Sequence, residues 1–307
     1  MIVSLPQTNP MTEGKKNYGS YLEMHFIVVI LGFTAILGKL VQLPAPALVW
    51  YRTMFAFIAL FIWLNISKTK YRLPWKQALK LLGIGIIVST HWIFFFGAIK
   101  VSNVSVTLGC LASGTLFASL LEPLVFRRRV YWFEVIIGLV IIFGLYLIFQ
   151  FEPRYINGII YSLIAFFLSS LFTVLNKKIT FQFHQNVIGF YEMIGGWLGV
   201  SIYLLINGNM NVHDLSFTFT DFIWLALLAV VCSAYAFSAI VRIMRKISAF
   251  AVVLSINLEP VYGIILAYFI FGQSEYMTFG FYAGTLILLL SIFSYPLLER
   301  RFIKKGV

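Results

Sequence analysis

Charge is scarce in this chain of 307 residues: Asp, Glu, Lys and Arg make up 11% of it, the acids number only 11, and 61% of positions are hydrophobic. A sizeable soluble domain needs more polar surface than that, so the composition excludes one. Cysteine is also rare. Cys110 and Cys232 both fall inside apolar runs, which argues against a disulfide framework and against a Cys/His metal site. The four histidines, His25, His91, His184 and His213, are scattered. No carboxylate cluster, phosphate-binding glycine loop, Gly-x-Ser-x-Gly or His-Glu-x-x-His string is present. Nothing therefore supports an enzyme, and no cofactor or metal is expected. Residues 1–23 lack a basic lead followed by a long apolar stretch and a small-residue cleavage site, so they read as a cytoplasmic lead-in rather than a signal peptide.

What the chain has in abundance is apolar length. Runs of about 20 residues, enough for a helix to cross about 30 Å of hydrocarbon, recur at 24–43, 46–66, 79–98, 104–124, 131–150, 157–176, 187–206, 221–240, 248–270 and 278–298. The basic residues sort the gaps between them. Of the 23 Lys and Arg, all but Lys39, Arg52, Lys100 and Arg154 fall in alternate gaps or at the two termini. Basic residues beside helix ends stay cytoplasmic. The pattern thus predicts an even number of crossings with both termini inside, in a bacterial plasma membrane. The formal net charge of +12 does not suggest nucleic acid, because it is spread over short segments with no aromatic-interleaved surface. It suits anionic lipid instead.

The sequence also repeats itself. Residues 102–138 lie over 248–284 without a gap, pairing Ser102 with Ser248, Leu108 with Leu254, Phe133 with Phe279 and Gly138 with Gly284. Tyr51-Arg52 matches Tyr191-Glu192, and Lys39 matches Lys177. Each copy holds five helices, and an odd number turns the second copy upside down in the membrane. The expected fold is therefore an all-α integral membrane protein with ten transmembrane helices in two inverted five-helix repeats, at 24–150 and 157–298. A cytoplasmic tail at 1–23 precedes them and a basic tail at 299–307 follows. Halves related in this way can exchange packings around a site near the midplane.

The string NLEPVYGIILAYFIFGQSEYMTFGFYAGTLIL, Asn257 to Leu288, resembles the closing segment of EamA-type members of the drug/metabolite transporter superfamily, with its Leu-Glu-Pro element, aliphatic run and Gly-bearing last helix. Arg52 and Ala56 match the Arg-x-x-x-Ala pattern of the second helix in that family. The resemblance runs from Met24 to Leu298 and implies two five-helix repeats around a central cavity. It also implies transport of a small metabolite such as an amino acid, nucleoside or drug-like solute. Two positions depart from the pattern. Ser113-Gly114 stands where the second repeat has Glu259-Pro260, and Gln273 replaces a Glu after Gly272.

A charge at mid-bilayer costs about 2.5–3.5 kcal/mol, which makes each one a functional candidate. Glu259 is the deepest, roughly 16 Å from either end of its segment at the helical rise, too far to snorkel. Ser255 and Tyr262 share its helix face, Asn257 is near in sequence, and Pro260 cannot donate to the carbonyl of Ile256. Lys39, roughly 6 Å from its helix end, reads as an interfacial Lys. Arg52 and Glu192 are borderline between a cavity role and snorkelling. Glu122, one turn from Arg127, reads as a surface ion-pair member. Ser162, Ser169, Thr173 and Asn176 form a polar stripe, serving either solute or helix contacts. His91, Trp92 and Tyr235 add aromatic and titratable groups at mid-depth, and Ser113 occupies the position matching Glu259. Gly280 with Gly284, and Gly195, Gly196 and Gly199, mark close helix contacts.

With no nucleotide-binding motif, the expected function is a secondary transporter, an exporter of a small organic solute by alternating access, with Glu259 exchanging a proton or pairing with a cationic solute. The expected partners are the solute, the bilayer, protons and a second copy in a homodimer. Two alternatives stay open: an uncoupled facilitator, and a membrane receptor or scaffold that moves nothing.

Overall fold

The computed structural model describes residues 18–127, 132–180, 182–208, 210–211, 215–243 and 255–302, and among these no strand occurs. The start of the ninth apolar run at 248–254, His213, Arg128, Arg129 and most of the two tails lie outside the described residues. The helices of the first half are α1 (Tyr18–Leu40), α2 (Ala45–Ile66), α3 (Trp75–Val101), α4 (Val104–Gly109), α5 (Ser113–Phe126) and α6 (Trp132–Phe151). Those of the second are α7 (Ile156–Ile179), α8 (Gln185–Ile206), α9 (Phe219–Ala229), α10 (Ala236–Ile243), α11 (Glu259–Phe271) and α12 (Phe279–Phe302).

Among the described residues, seven helical stretches are long and apolar enough to cross a membrane, and two shorter apolar ones lie at Val135–Phe151 and Phe279–Ser291. The ninth run is represented by α11 alone. Helix α1 begins at Tyr18, so residues 18–23, expected in the tail, are already helical.

Local chemistry sets the ends. Pro44 precedes α2 and Pro74 precedes α3, with fixed φ and no N–H to lose. The Asn103 side chain accepts from the N–H of Val106 to cap α4, and Thr218 and Asp221 form a reciprocal capping box on α9. Gly272, at φ +59°, closes α11 in a conformation that a side chain resists.

Two stretches depart from regular α geometry. A tight 3-10 turn at Cys110–Ala112 separates α4 from α5, so that α5 begins at Ser113. In the second half the Leu258 N–H donates to the Ser255 carbonyl at 3.0 Å, another three-residue turn, and α11 begins at Glu259. The two matched positions therefore each open a helix after a break. The other departure is a wide π turn at Val230–Tyr235 between α9 and α10. It holds one extra residue and swings the following side chains round the axis.

Exchanging the halves maps the main helix contacts among the described residues onto one another. Helix α2 packs on α8, α6 on α12, and α4 on α11. The contact of α3 with α7 has its counterpart in that of α1 with α9, the π turn and α10; α3 with α8 answers to α2 with α9 and the π turn; α5 with α7 answers to α1 with α11. The matched pairs run antiparallel. Trp50 on α2 meets Ser201 on α8 while Phe61 meets Phe190, and Gly144 on α6 lies against Leu288 of α12 while Gly280 lies against Phe151. Helices α3 and α8 touch backbone to backbone, because a Cβ on Gly85 would strike the main chain of Glu192 and one on Gly195 that of Leu82. Small residues allow this approach, and in lipid close packing is what holds helices together.

Candidate functional site

The buried centre is built around Arg52. Its side chain is 2% exposed, among the largest fully enclosed groups in the structure. The guanidinium lies over the Trp92 ring at 3.7 Å and 5.3 Å from that of Phe96, and its Nε–H donates to Ser233 Oγ at 2.7 Å. The Ser233 hydroxyl in turn donates to the Leu228 carbonyl, five residues back, at 2.7 Å. That spacing belongs to the π turn, so the irregular geometry is what aims Ser233 at Arg52. Glu259 lies within electrostatic reach of the same guanidinium, while Arg52 Nη1 is buried without a hydrogen-bond partner. A planar cation over an aromatic face, worth about 2 kcal/mol when desolvated, offsets part of the burial cost. One donor group stays unspent.

Glu259, Asn257 and Ser255 are all buried, and Tyr262 is half-buried on the next turn of α11. Ser113, at the matching start of α5, is fully enclosed and its hydroxyl has no partner. His91, on α3, forms a 2.8 Å hydrogen bond between Nδ1 and the Ala165 carbonyl, stands among Phe95, Phe166 and Phe172, and lies within electrostatic reach of Arg52. Thus Arg52, Trp92 and Glu259 come together, Ser113 and Glu259 share a structural position, and His91 serves the α3–α7 contact.

Other candidates fall elsewhere. Thr173 is exposed and its hydroxyl donates to the Ser169 carbonyl on its own helix at 2.7 Å. Tyr235 stands 42% exposed on the π turn instead of lining the centre. Of the α7 stripe, Ser162 donates to Gly158, while Ser170, which the stripe omitted, reaches across to the Gly114 carbonyl at 2.6 Å. Asn176 donates to Glu192 Oε2 at 3.3 Å. Glu122 is an ion-pair member, through Lys177 of α7. A cleft of about 430 Å³ lies apart from the buried centre, lined by Ser89, Thr90, Phe94, Tyr161, Gly199 and Tyr203 among others.

One end of the bundle carries a polar lock that the sequence did not disclose. Glu275, in the turn after α11, is 1% exposed. Its Oε2 accepts from the N–H of Ser105 at 2.8 Å and from the Ser105 hydroxyl at 2.7 Å, and its Oε1 accepts from the N–H of Val104 at 3.3 Å. Lys39 completes the arrangement at 2.7 Å from Oε1 and over the Phe271 ring, so it is ion-paired, not merely interfacial. At the same end, Asp221 accepts from the N–H of Gln42 at 2.8 Å, Glu152 from that of Thr278 at 2.8 Å, and Lys100 donates to the Val41 carbonyl at 2.8 Å. Three carboxylates thus stitch one helix end to the next by accepting from otherwise unpaired backbone donors. The described ion pairs at the opposite end, Glu122 with Lys177 and Arg242 with Glu23, are more exposed.

A model of the EamA-like transporter family matches residues 21–150 and again 156–295. The chain belongs to the EamA-like transporter family, within the drug/metabolite transporter superfamily. Members of this family are membrane transporters, not enzymes. No curated protein matches the sequence. The fold recurs in solved structures. One protein crystal structure, 16% identical, aligns with a TM-score of 0.65 over 94% of this chain and 100% of its own, which concerns the fold alone.

Proposed function

We propose that this protein is a gradient-driven secondary transporter that moves a small organic metabolite outward across a bacterial plasma membrane. It does so through ten crossings arranged as two inverted five-helix repeats with both termini cytoplasmic. The observation that carries this reading is the enclosed Arg52, with a free Nη1, an aromatic floor and an acid in reach. A structural arginine has its donors satisfied, whereas a solute site keeps one in reserve. Mutual neutralisation of Arg52 and Glu259 keeps the empty site tolerable. A zwitterionic solute, its carboxylate on Arg52 and its cationic group on Glu259, can bind only while Glu259 is ionised; proton and solute therefore bind in turn, and an entering proton exchanges for a departing solute.

The antiparallel matched pairs and the self-mapping packing support the inverted arrangement, since an in-plane two-fold axis is what relates two opposed copies. The charge pattern assigns the Glu275 end to the outside. The lock there and the enclosed Arg52 suit a conformation closed on that side. Alternating access then requires breaking the Glu275 contacts while forming others at the opposite end.

Metabolite profiles inside and outside cells, with and without overexpression, should show one class of solute displaced outward. In sealed vesicles loaded with that solute, Glu259→Gln keeps shape and hydrogen bonding but cannot titrate. It should abolish accumulation driven by a pH gradient and spare counterflow. Accumulation by the variant with wild-type dependence on the gradient refutes the coupling role. Single cysteines at Pro44 and Gln273 should label from outside, and at Ser67 and Gln182 from inside.

A further inference from the structure

The repeat that matches Tyr51-Arg52 to Tyr191-Glu192 puts an acid in α8 where α2 has its arginine. Glu192 is 0% exposed, and Gly85 seals it by pressing the α3 backbone against its own main chain. Asn176 of α7, 8% exposed, donates Nδ2 to Oε2. What remains is unusual: Glu192 Oε1 and Asn176 Oδ1 are both buried and both without a hydrogen-bond partner. These are two oxygens, and an ionised carboxylate and an amide oxygen can only accept. A missing donor would satisfy them.

The neighbouring helices do not supply it. Helix α2 offers Arg52, which donates Nε–H to Ser233 and stacks on Trp92, and whose spare Nη1 has no hydrogen bond to Glu192 or to any other group. On α3, His91 is bonded to Ala165, Lys100 to Val41, and Lys76 and Lys80 are exposed. Lys177 of α7 pairs with Glu122, Lys178 is exposed, and Arg242 of α10 pairs with Glu23. None is hydrogen-bonded or ion-paired to Glu192.

We propose that the Glu192–Asn176 pair is a second proton-binding site, separate from the Arg52–Glu259 centre. A carboxyl–amide pair is suited to this task. With Glu192 ionised the amide can donate to it through the Nδ2–Oε2 contact. When a proton adds to the carboxylate, the new O–H donates to Asn176 Oδ1 after the amide rotates, so either state keeps one hydrogen bond and no other group must change. A metal ion would need more oxygens than these two. Glu192 is seven residues from the start of α8, roughly 10 Å at the helical rise, and by the matched pairing of α2 and α8 it lies on the far side of Arg52 from the Glu275 lock. That position suits a station at which a proton leaves or enters toward the opposite end. This role in coupling rests on the transporter reading, whereas the proton binding itself does not.

The test uses the purified full chain in lipid with protons as the only probe. Infrared difference spectra recorded between acidic and alkaline buffer follow the carbonyl stretch of protonated carboxyls shielded from water. Glu192→Gln should remove one titrating component, Glu259→Gln a different one, and Asn176→Ala should shift the midpoint of the first while leaving the second in place. Should Glu192→Gln fail to fold, carbodiimide modification of the wild-type protein, read by mass spectrometry at Glu192, gives the same answer: modification in acid and protection in alkali supports the site. An unchanged spectrum in Glu192→Gln, or modification of Glu192 that is absent or indifferent to pH, overturns it. Vesicles that never exchange solute would sink the transporter reading while leaving a titrating Glu192 intact, so the two failures are distinguishable.

Discussion

Set side by side, the first half of the chain carries Arg52 on α2 and Ser113 at the head of α5, where the second half carries Glu192 on α8 and Glu259 at the head of α11. The helices around these positions pack in the same pairwise scheme. The contacts that do the packing differ as well. Helix α3 of the first half meets α8 through glycines, backbone on backbone, whereas its counterpart, the α9–π turn–α10 segment, meets α2 through the Arg52–Ser233 hydrogen bond and an irregular turn. The repeated scaffold thus carries unlike side chains at matched positions.

The comparison can be broken most severely where the halves are latched to each other. Glu275→Ala removes a buried carboxylate that serves two backbone N–H groups, a hydroxyl and Lys39. Removing one member of a buried pair costs about 3–5 kcal/mol, so the unfolding temperature of the protein in detergent should fall sharply. A cysteine at Ser105 in a Glu275→Gln background should react faster with an aqueous thiol reagent than in the parent.

Next in size is the glycine contact. Gly85→Ala drives a methyl into the Glu192 backbone and should destabilise by about 1–3 kcal/mol, as overpacking does. Gly83→Ala meets nothing within 4 Å and should be neutral or slightly stabilising, since Ala favours helix over Gly. Equal effects from the two would remove the argument that the α3–α8 approach is backbone-limited.

The polar counterpart is sharpened by Arg52→Lys, which keeps the charge but loses the planar stack on Trp92 and the fork of donors. We expect solute transport to fall about tenfold, equivalent to about 1.4 kcal/mol, with the protein still inserted and folded. Wild-type rates would show that charge alone suffices there.

The smallest effect belongs to the opposite end. Lys177→Ala breaks the pair with Glu122, whose members are 47% and 28% exposed, and such pairs contribute about 0–1 kcal/mol. Thermal unfolding should move by no more than a degree or two. A loss as large as that of Glu275→Ala would erase the contrast between the two ends.

The sequence by itself determined the membrane class and the repeat, because apolar run length and the residue-by-residue matches between the halves are read directly along the chain. It pointed to Arg52 and Trp92 individually, and the matched Tyr-Arg and Tyr-Glu pairs marked Glu192. Only the tertiary structure decided which groups meet. The Arg52–Ser233 bond joins residues 181 apart and the Glu275–Ser105 bond residues 170 apart, and no local pattern selects such partners. The π turn that aims Ser233, the capping of α4 by a distant Glu275, and the pairing of Glu122 with Lys177 all arise from helices docking face to face. In a chain whose surfaces are apolar nearly everywhere, hydrophobic patterning does not single out which faces touch; small residues and a few buried polar contacts do.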